Sequence, residues 1–257
     1  MLKERIQNKK IYTNKIKKVE QAGTNLYEMV VEAEDFTSKP GQFISIYCDN
    51  CTLRRPFSIM KNSQDELSVL FKLKGKGTEY LKSLKSGDCI NFSGPFGNGF
   101  TLPTHSSRSL LIGAGVGIAP IAFLRDYMNE NNYGEVRTIG GFLNKSSIPN
   151  FLKTSLDFIT TDFGDFGQKG SIIDYSEQEI AGYKPDIIYA CGPSIVLQKI
   201  CETASKFEIP VQVAMEKEMA CSIGVCRGCV IELKNGKNAT VCKDGPVFNG
   251  EDIKWQG

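Results

Sequence analysis

Four cysteines toward the carboxyl end, Cys221, Cys226, Cys229 and Cys242, stand at the spacing C-x4-C-x2-C-x12-C. Thiolates are soft ligands, and four of them satisfy two tetrahedral irons that share two sulfides; the first three follow the ligand run of plant-type 2Fe-2S clusters. Gly224 and Gly228 let 221-CSIGVCRGC-229 curl so that backbone N–H groups turn toward the sulfurs, and Arg227 adds positive charge nearby. The alternative is structural zinc, which usually takes two C-x2-C pairs, and only Cys226 and Cys229 form one here. Among the other five cysteines, Cys48 and Cys51 have ligand spacing without a second pair. Cys89 and Cys201 lie in apolar runs that read as core, and Cys191 reads as a buried thiol unless it faces a ligand. Nine cysteines, an odd number, do not suggest a disulfide framework.

Two further signals point to phosphate groups. In 54-RRPFSI-59 a guanidinium precedes a hydroxyl by three residues at a strand entrance, and 75-GKGT-78 follows as the opening of a helix. Arg55 can fork onto a pyrophosphate while N–H groups of Gly77 and Thr78 complete the cradle. The spacing predicts that helix over Thr78 to Leu84, with Thr78 as its N-cap. The run 113-GAGVGIAP-120 lies between a strand and a helix, where glycines let a dinucleotide approach the backbone, although Ile118 stands where the usual fingerprint has its third glycine. A structural strand-to-helix turn explains it equally well. Farther on, 191-CGP-193 ends another buried strand, at the side where open parallel sheets bind ligands. With His105 the one histidine, HExxH metal sites and most imidazole mechanisms are excluded.

The elements that must hold these groups change rhythm along the chain. Short β-rich runs, 26-LYEMVVEA-33, 42-QFISIY-47, 67-LSVLFKL-73 and 89-CINFSG-94, alternate with turn residues and suggest an antiparallel β-barrel. After the polar stretch 101-TLPTHSSR-108, apolar runs at 109–115, 136–143, 186–192 and 211–215 alternate with helices over 118–130 and 194–207, implying an α/β parallel-sheet domain. The expected division is 1–103 for the barrel, 104–210 for the nucleotide domain and 211–257 for a small cluster segment. With 31 basic and 29 acidic residues in 257, the charge of +2 gives no field for nucleic acid or an anionic membrane. The apolar stretch Leu110 to Leu124 is too short to span a bilayer. MLKERIQNKK is not followed by a leader's apolar run, so a cytoplasmic location is expected.

Taken in order, R-x-F-S, G-T, GPFGNGF, GxGxGxxP, CGP and the cysteine loop resemble the ferredoxin reductase superfamily. Within it, 219-MACSIGVCRGC-229 with 242-CKDGPVF-248 resembles the electron-transfer subunits of dihydroorotate dehydrogenase B. Oxygenase reductases append a whole ferredoxin domain, for which the last segment is too short. The resemblance implies that Arg55, Pro56, Phe57 and Ser58 hold FAD, with Ser58 near the reactive edge, Arg55 on phosphate and Phe57 where Tyr is frequent. Leu70, Phe71 and Lys72 would line the adenine or ribitol side, and Gly77 with Thr78 the pyrophosphate. Gly113, Gly115 and Gly117 would border NAD, Cys191 and Gly192 would lie near its nicotinamide, and Cys221, Cys226, Cys229 and Cys242 would hold the 2Fe-2S cluster. It also implies a partner, an FMN-containing catalytic subunit that oxidises dihydroorotate, in a two-plus-two heterotetramer whose electrons reach NAD+ through cluster and FAD. No dihydroorotate site is visible in this chain itself. His105 and Trp255 read as part of a solvated linker and of a tail that packs.

Two other functions compete. The small subunits of NADPH-dependent ferredoxin oxidoreductases of the sulfide dehydrogenase type are similar but commonly carry Asp at the first cluster position, which Cys221 argues against. A non-catalytic redox-sensing or zinc-stabilised interaction module would not need the intact flavin and cluster motifs. An NADP site would want a basic fork after the second strand of the nucleotide domain, and 144-NKSS-147 offers only Lys145, so NAD is favoured.

Overall fold

The computed structural model describes residues 10–49 and 51–255. The amino-terminal segment read above for a leader lies almost wholly outside them. Six strands close an antiparallel barrel in the order β1-β2-β5-β4-β3-β6: β1 Lys10–Gly23, β2 Leu26–Glu32, β3 Phe43–Ile46, β4 Arg55–Asn62, β5 Glu66–Lys72 and β6 Cys89–Phe96. Alternate residues point inward, so Ile16, Met29, Ile44, Ile59, Val69, Phe71 and Phe92 fill the interior. Each such side chain contributes about 1.5–3 kcal/mol by leaving water. Cys89 is a correction: it opens β6 opposite Lys15 on the outward side and is exposed, while Ile90 beside it is buried. Cys201 is half-buried.

Helix α1 spans Lys76–Ser83, so it starts two residues before the expected Thr78. Gly75 takes the capping position in extended backbone, and Thr78 sits inside the first turn. Its Oγ1 accepts the N–H groups of Lys74 and Gly75 at 2.9 and 3.2 Å, the role of the third helical residue in a capping box.

The second sheet runs β10-β9-β8-β7-β11-β12-β15. Its strands are β7 Arg108–Ala114, β8 Glu135–Phe142, β9 Phe158–Thr161, β10 Gln168–Lys169, β11 Ile187–Cys191, β12 Val211–Ala214 and β15 Val247–Asn249. All neighbours are parallel except β15, which pairs antiparallel with β12. Val211–Ala214, grouped above with the cluster segment, therefore lies in this sheet. Crossovers are made by α2 Ile118–Glu130, α3 Ile172–Tyr183 and α4 Ser194–Ser205. With both faces covered, β7 is almost wholly buried and reads as a continuous apolar run. A short hairpin, β13 Val230–Glu232 with β14 Asn238–Thr240, carries the end of the cysteine loop.

Apolar contacts fix the two halves together. Leu26, Met60 and Leu70 of the barrel share a core with Leu111, Ile121 and Ala122, while Phe123 of α2 joins the barrel's own interior. Thr101 is bound by Gln212 at 2.9 and 3.0 Å and accepts the Tyr189 hydroxyl at 2.9 Å, so the connecting segment is tied to the sheet. His105 is exposed, stacked on Tyr133, and Trp255 packs against the core. Among the described residues no helix is long and apolar enough to cross a membrane.

Candidate functional site

The antiparallel pairing of β4 with β3 and β5 places Arg55, Pro56, Phe57 and Ser58 next to Leu70, Phe71 and Lys72, and the start of α1 closes the side. All of these, together with Gly77 and Thr78, line one cavity of about 490 Å³. The Arg55 guanidinium donates to the Leu53 carbonyl at 2.8 Å and lies across the start of α1. A β-carbon on Gly77 would come within 3.1 Å of it. The first N–H groups of a helix lack partners within it, so guanidinium and helix start converge as an anion cradle. Phe57 meets Phe71 edge to face at 6.0 Å, giving an aromatic wall. The set fits an FAD: apolar wall, cationic end, and a glycine where bulk would intrude.

Other residues complete the cavity. Val116 and Ala119 enter from the glycine turn and α2, and Met215, Glu216, Lys217 and Met219 from the stretch between β12 and the cysteine loop. Loss of water pushes the Glu216 carboxyl above the usual carboxylate range, and Lys74 partly opposes this. Of the expected nucleotide residues, Gly113, Gly115, Gly117, Cys191 and Gly192 do not line this cavity but gather beside it. Strand order reverses between β7 and β11, and their carboxyl ends meet there, with Gly113 opposite Cys191. Gly115 has φ +57 and open space above it, as a ligand-facing turn requires. Gly117 touches the Cys191 carbonyl so closely that a β-carbon would lie 2.4 Å from its oxygen. Ile118 lies directly over Gly113, which explains the missing third glycine. Cys191 is buried, and burial pushes its thiol up.

The sequence does not mark the turn after β9. Beyond β9 the Asp162 and Phe163 N–H groups bond the Phe142 and Leu143 carbonyls at 3.0 and 3.2 Å. Phe163 and Leu143 remain 65% and 50% exposed side by side. The Asp162 carboxylate has no hydrogen-bond or ion-pair partner among the described residues.

The cysteine loop is curled by left-handed backbone at Ser222, Gly224 and Arg227. Its N–H groups do face sulfur: Gly224 to Cys242 at 3.1 Å, Cys226 to Cys221, Gly228 to Cys226 and Cys242 to Cys229, each at 3.4 Å. Burial works against ionising Cys221, but the N–H groups of Cys226, Ile223 and Val225 outweigh it and bring the thiol down to about 6. Cys242 is pushed up to about 12 by burial and by neighbouring Cys229. Cys221 thus pairs with Cys226, and Cys229 with Cys242. Among the described residues no three ligand side chains converge as around one ion. Two pairs of thiols suit a two-iron cluster better than zinc. The Ser222 hydroxyl bonds Ser45 of β3 at 3.2 Å and fastens the loop to the barrel.

Known proteins share these parts. Residues 216–254 match the iron-sulfur cluster binding domain of dihydroorotate dehydrogenase B, and residues 11–117 match an FAD-binding domain. The dihydroorotate dehydrogenase B (NAD(+)) electron transfer subunit of Caldanaerobacter subterraneus subsp. tengcongensis is 34% identical over 235 residues, which cover 90% of this chain and 93% of that protein. The Clostridium acetobutylicum protein of the same name is 33% identical, with 98% of each chain covered. In structure, an NADH-dependent reduced ferredoxin-NADP oxidoreductase superposes at TM-score 0.84 with 27% identity, covering 94% of this chain and 90% of its own. The ferredoxin reductase in carbazole 1,9a-dioxygenase shares the fold at TM-score 0.69 and 17% identity, covering 80% and 69%. On this combination of barrel, sheet, cysteine loop and near full-length identity, the chain belongs to the family of dihydroorotate dehydrogenase B (NAD(+)) electron transfer subunits.

Proposed function

We propose that this chain is the NAD-linked electron outlet of a dihydroorotate dehydrogenase that serves pyrimidine biosynthesis. It works with an FMN-containing catalytic subunit, two copies of each forming the assembly. The observation that carries the reading is that one cavity is walled by the barrel, by the turn and helix of the nucleotide sheet and by the stretch entering the cysteine loop. When bound, FAD exchanges an electron pair with a nicotinamide as hydride and single electrons with a 2Fe-2S cluster.

The residues divide the work. Arg55, with the first N–H groups of α1 at Gly77 and Thr78, anchors the FAD pyrophosphate. Phe57 and Phe71 give the flavin an apolar wall, Pro56 and Ser58 border its reactive side, and Leu70 and Lys72 support the remainder. Gly113, Gly115 and Gly117 admit the dinucleotide backbone, and Cys191 with Gly192 floors the nicotinamide end. Cys221, Cys226, Cys229 and Cys242 hold the cluster, with loop N–H groups offsetting the negative charge on sulfur. Asp162, a carboxylate just after β9 that is unpartnered among the described residues, opposes a 2′-phosphate by its charge, which favours NAD over NADP.

The test is an anaerobic titration of the purified chain with NADH, followed by addition of the FMN subunit and dihydroorotate. Flavin and cluster absorbance should bleach with NADH, and dihydroorotate-dependent NAD+ reduction should appear only with the partner. Dihydroorotate oxidation by this chain alone would overturn the division of labour.

A further inference from the structure

Cys48 and Cys51 close a turn between β3 and β4, just ahead of the flavin cavity. The Cys51 N–H donates to the Cys48 carbonyl at 3.1 Å. That bond from the fourth residue of a turn to the first holds their α-carbons within about 7 Å. A disulfide asks for about 4.4–6.8 Å. Both are free thiols, and both side chains enter the same apolar cluster, where Cys48 is fully buried and Cys51 packs against it while half-buried. Burial pushes the Cys48 thiol up to about 11, and neighbouring Cys51 adds to the rise. The turn leads straight to Leu53, whose carbonyl holds the Arg55 guanidinium at 2.8 Å. It leads equally to Arg54, which donates to the Ser45 carbonyl at 3.2 Å.

We propose that Cys48 and Cys51 are a reversible thiol–disulfide pair, a modification site separate from the cluster cysteines and open to exchange with low-molecular-weight disulfides. Cys51, the accessible member, attacks one sulfur of such a disulfide as the thiolate, forming a mixed disulfide and releasing one thiolate. Cys48 then gives up its proton and attacks Cys51 Sγ, forming the Cys48–Cys51 bond and releasing the second thiolate. The two cysteine protons end on the two released thiols, so two cysteines are oxidised by two electrons and one disulfide is reduced. The ring closed is short, which removes little chain entropy and leaves the bond easy to reduce again. Closing it tightens the segment that sets Arg55, which carries the oxidation state to the cationic end of the flavin cavity. The exchange itself does not depend on the electron-transfer reading.

The experiment uses the anaerobic holoprotein with oxidised glutathione, followed by acid quench and tryptic mapping. The peptide ending at Arg54 holds Cys48 and Cys51 and no other cysteine. It should lose the mass of two hydrogens and regain it with dithiothreitol. Cys48→Ser should trap one glutathione on Cys51, and Cys51→Ser should leave Cys48 unmodified. A wild-type peptide that stays reduced, or that keeps glutathione on Cys51 without bridging, would overturn the proposal. The wild-type map decides alone should either variant fail to fold.

Discussion

Gly77 and Arg55 approach each other across the cavity between barrel and sheet: the β-carbon of an alanine at 77 would lie 3.1 Å from both Cγ and Nε of the arginine. That contact is tighter than an ordinary methyl contact, so the Arg55 side chain must give by a few tenths of an ångström to admit one. Gly77→Ala and Arg55→Ala should therefore fail in the same way, by losing a charge-assisted contact worth about 1.5–3 kcal/mol. FAD dissociation constants should rise on the order of 10- to 100-fold, measured by flavin fluorescence during titration of apoprotein. Unchanged affinity in both variants would remove Arg55 from the phosphate.

Cys226 is exposed, whereas the barrel core is built from β1 to β6, the loops between them, α1 and α2, and no residue of the cysteine loop is in it. Cys226→Ser should abolish acid-labile sulfide and iron yet leave flavin absorbance and the barrel's thermal transition in place. Full iron and sulfide content would show that the cluster has another ligand. Removing iron with a chelator should resemble the mutation, because Ser222 to Ser45 and the Asn98 amide to the Asp244 carbonyl at 2.8 Å still tie the segment down.

These features were not equally legible in the chain. The cysteine loop could be read because three ligands and their glycines are contiguous, and β7 with α2 because a buried run gives way to a helical one. β1 escaped notice: KIYTNKIKKVEQAG presents mostly lysine and polar residues to water and buries only Ile16 and Ala22. α3 also escaped, although Ser171 caps it and Asp174 reaches back to the Ser171 N–H at 2.9 Å, with Ile172, Ser176 and Ile180 on the buried face. The expected N-cap at Thr78 failed because glycine capped the helix earlier and left the hydroxyl a different backbone to serve. Met215 and Glu216 had no local signal, since only the docking of the sheet against the barrel brings them to the cavity.

In the proposed function Asp162, whose N–H bonds the Phe142 carbonyl at 3.0 Å, opposes a 2′-phosphate on the adenosine ribose. A phosphate at about 4 Å from one carboxylate is opposed by about 1 kcal/mol per unit charge even in water. Asp162→Ser should narrow the preference for NADH over NADPH on the order of tenfold, chiefly by lowering KM for NADPH, in a diaphorase assay with an artificial acceptor. An unmoved ratio would place the 2′ position elsewhere, and Lys145, whose ammonium sits 5.9 Å over the Phe166 ring, would be the next residue to change.

Gly117 tests whether the β7 and β11 ends must stay in contact. A β-carbon there would lie 2.4 Å from the Cys191 oxygen, 2.6 Å from its carbon and 2.7 Å from the Gly192 nitrogen, all backbone atoms that no rotamer can move aside. The strain of Gly117→Ala must open the turn or displace the Cys191–Gly192 peptide, at about 1–3 kcal/mol for an overpacked site. Because the cavity-lining residues of β4 and β5 proposed to hold FAD lie outside that contact, flavin content should be retained while NADH-dependent bleaching slows by at least about tenfold. Rapid-mixing absorbance separates the two readouts. Full-speed bleaching with intact flavin would show that nicotinamide does not use the junction of these strand ends.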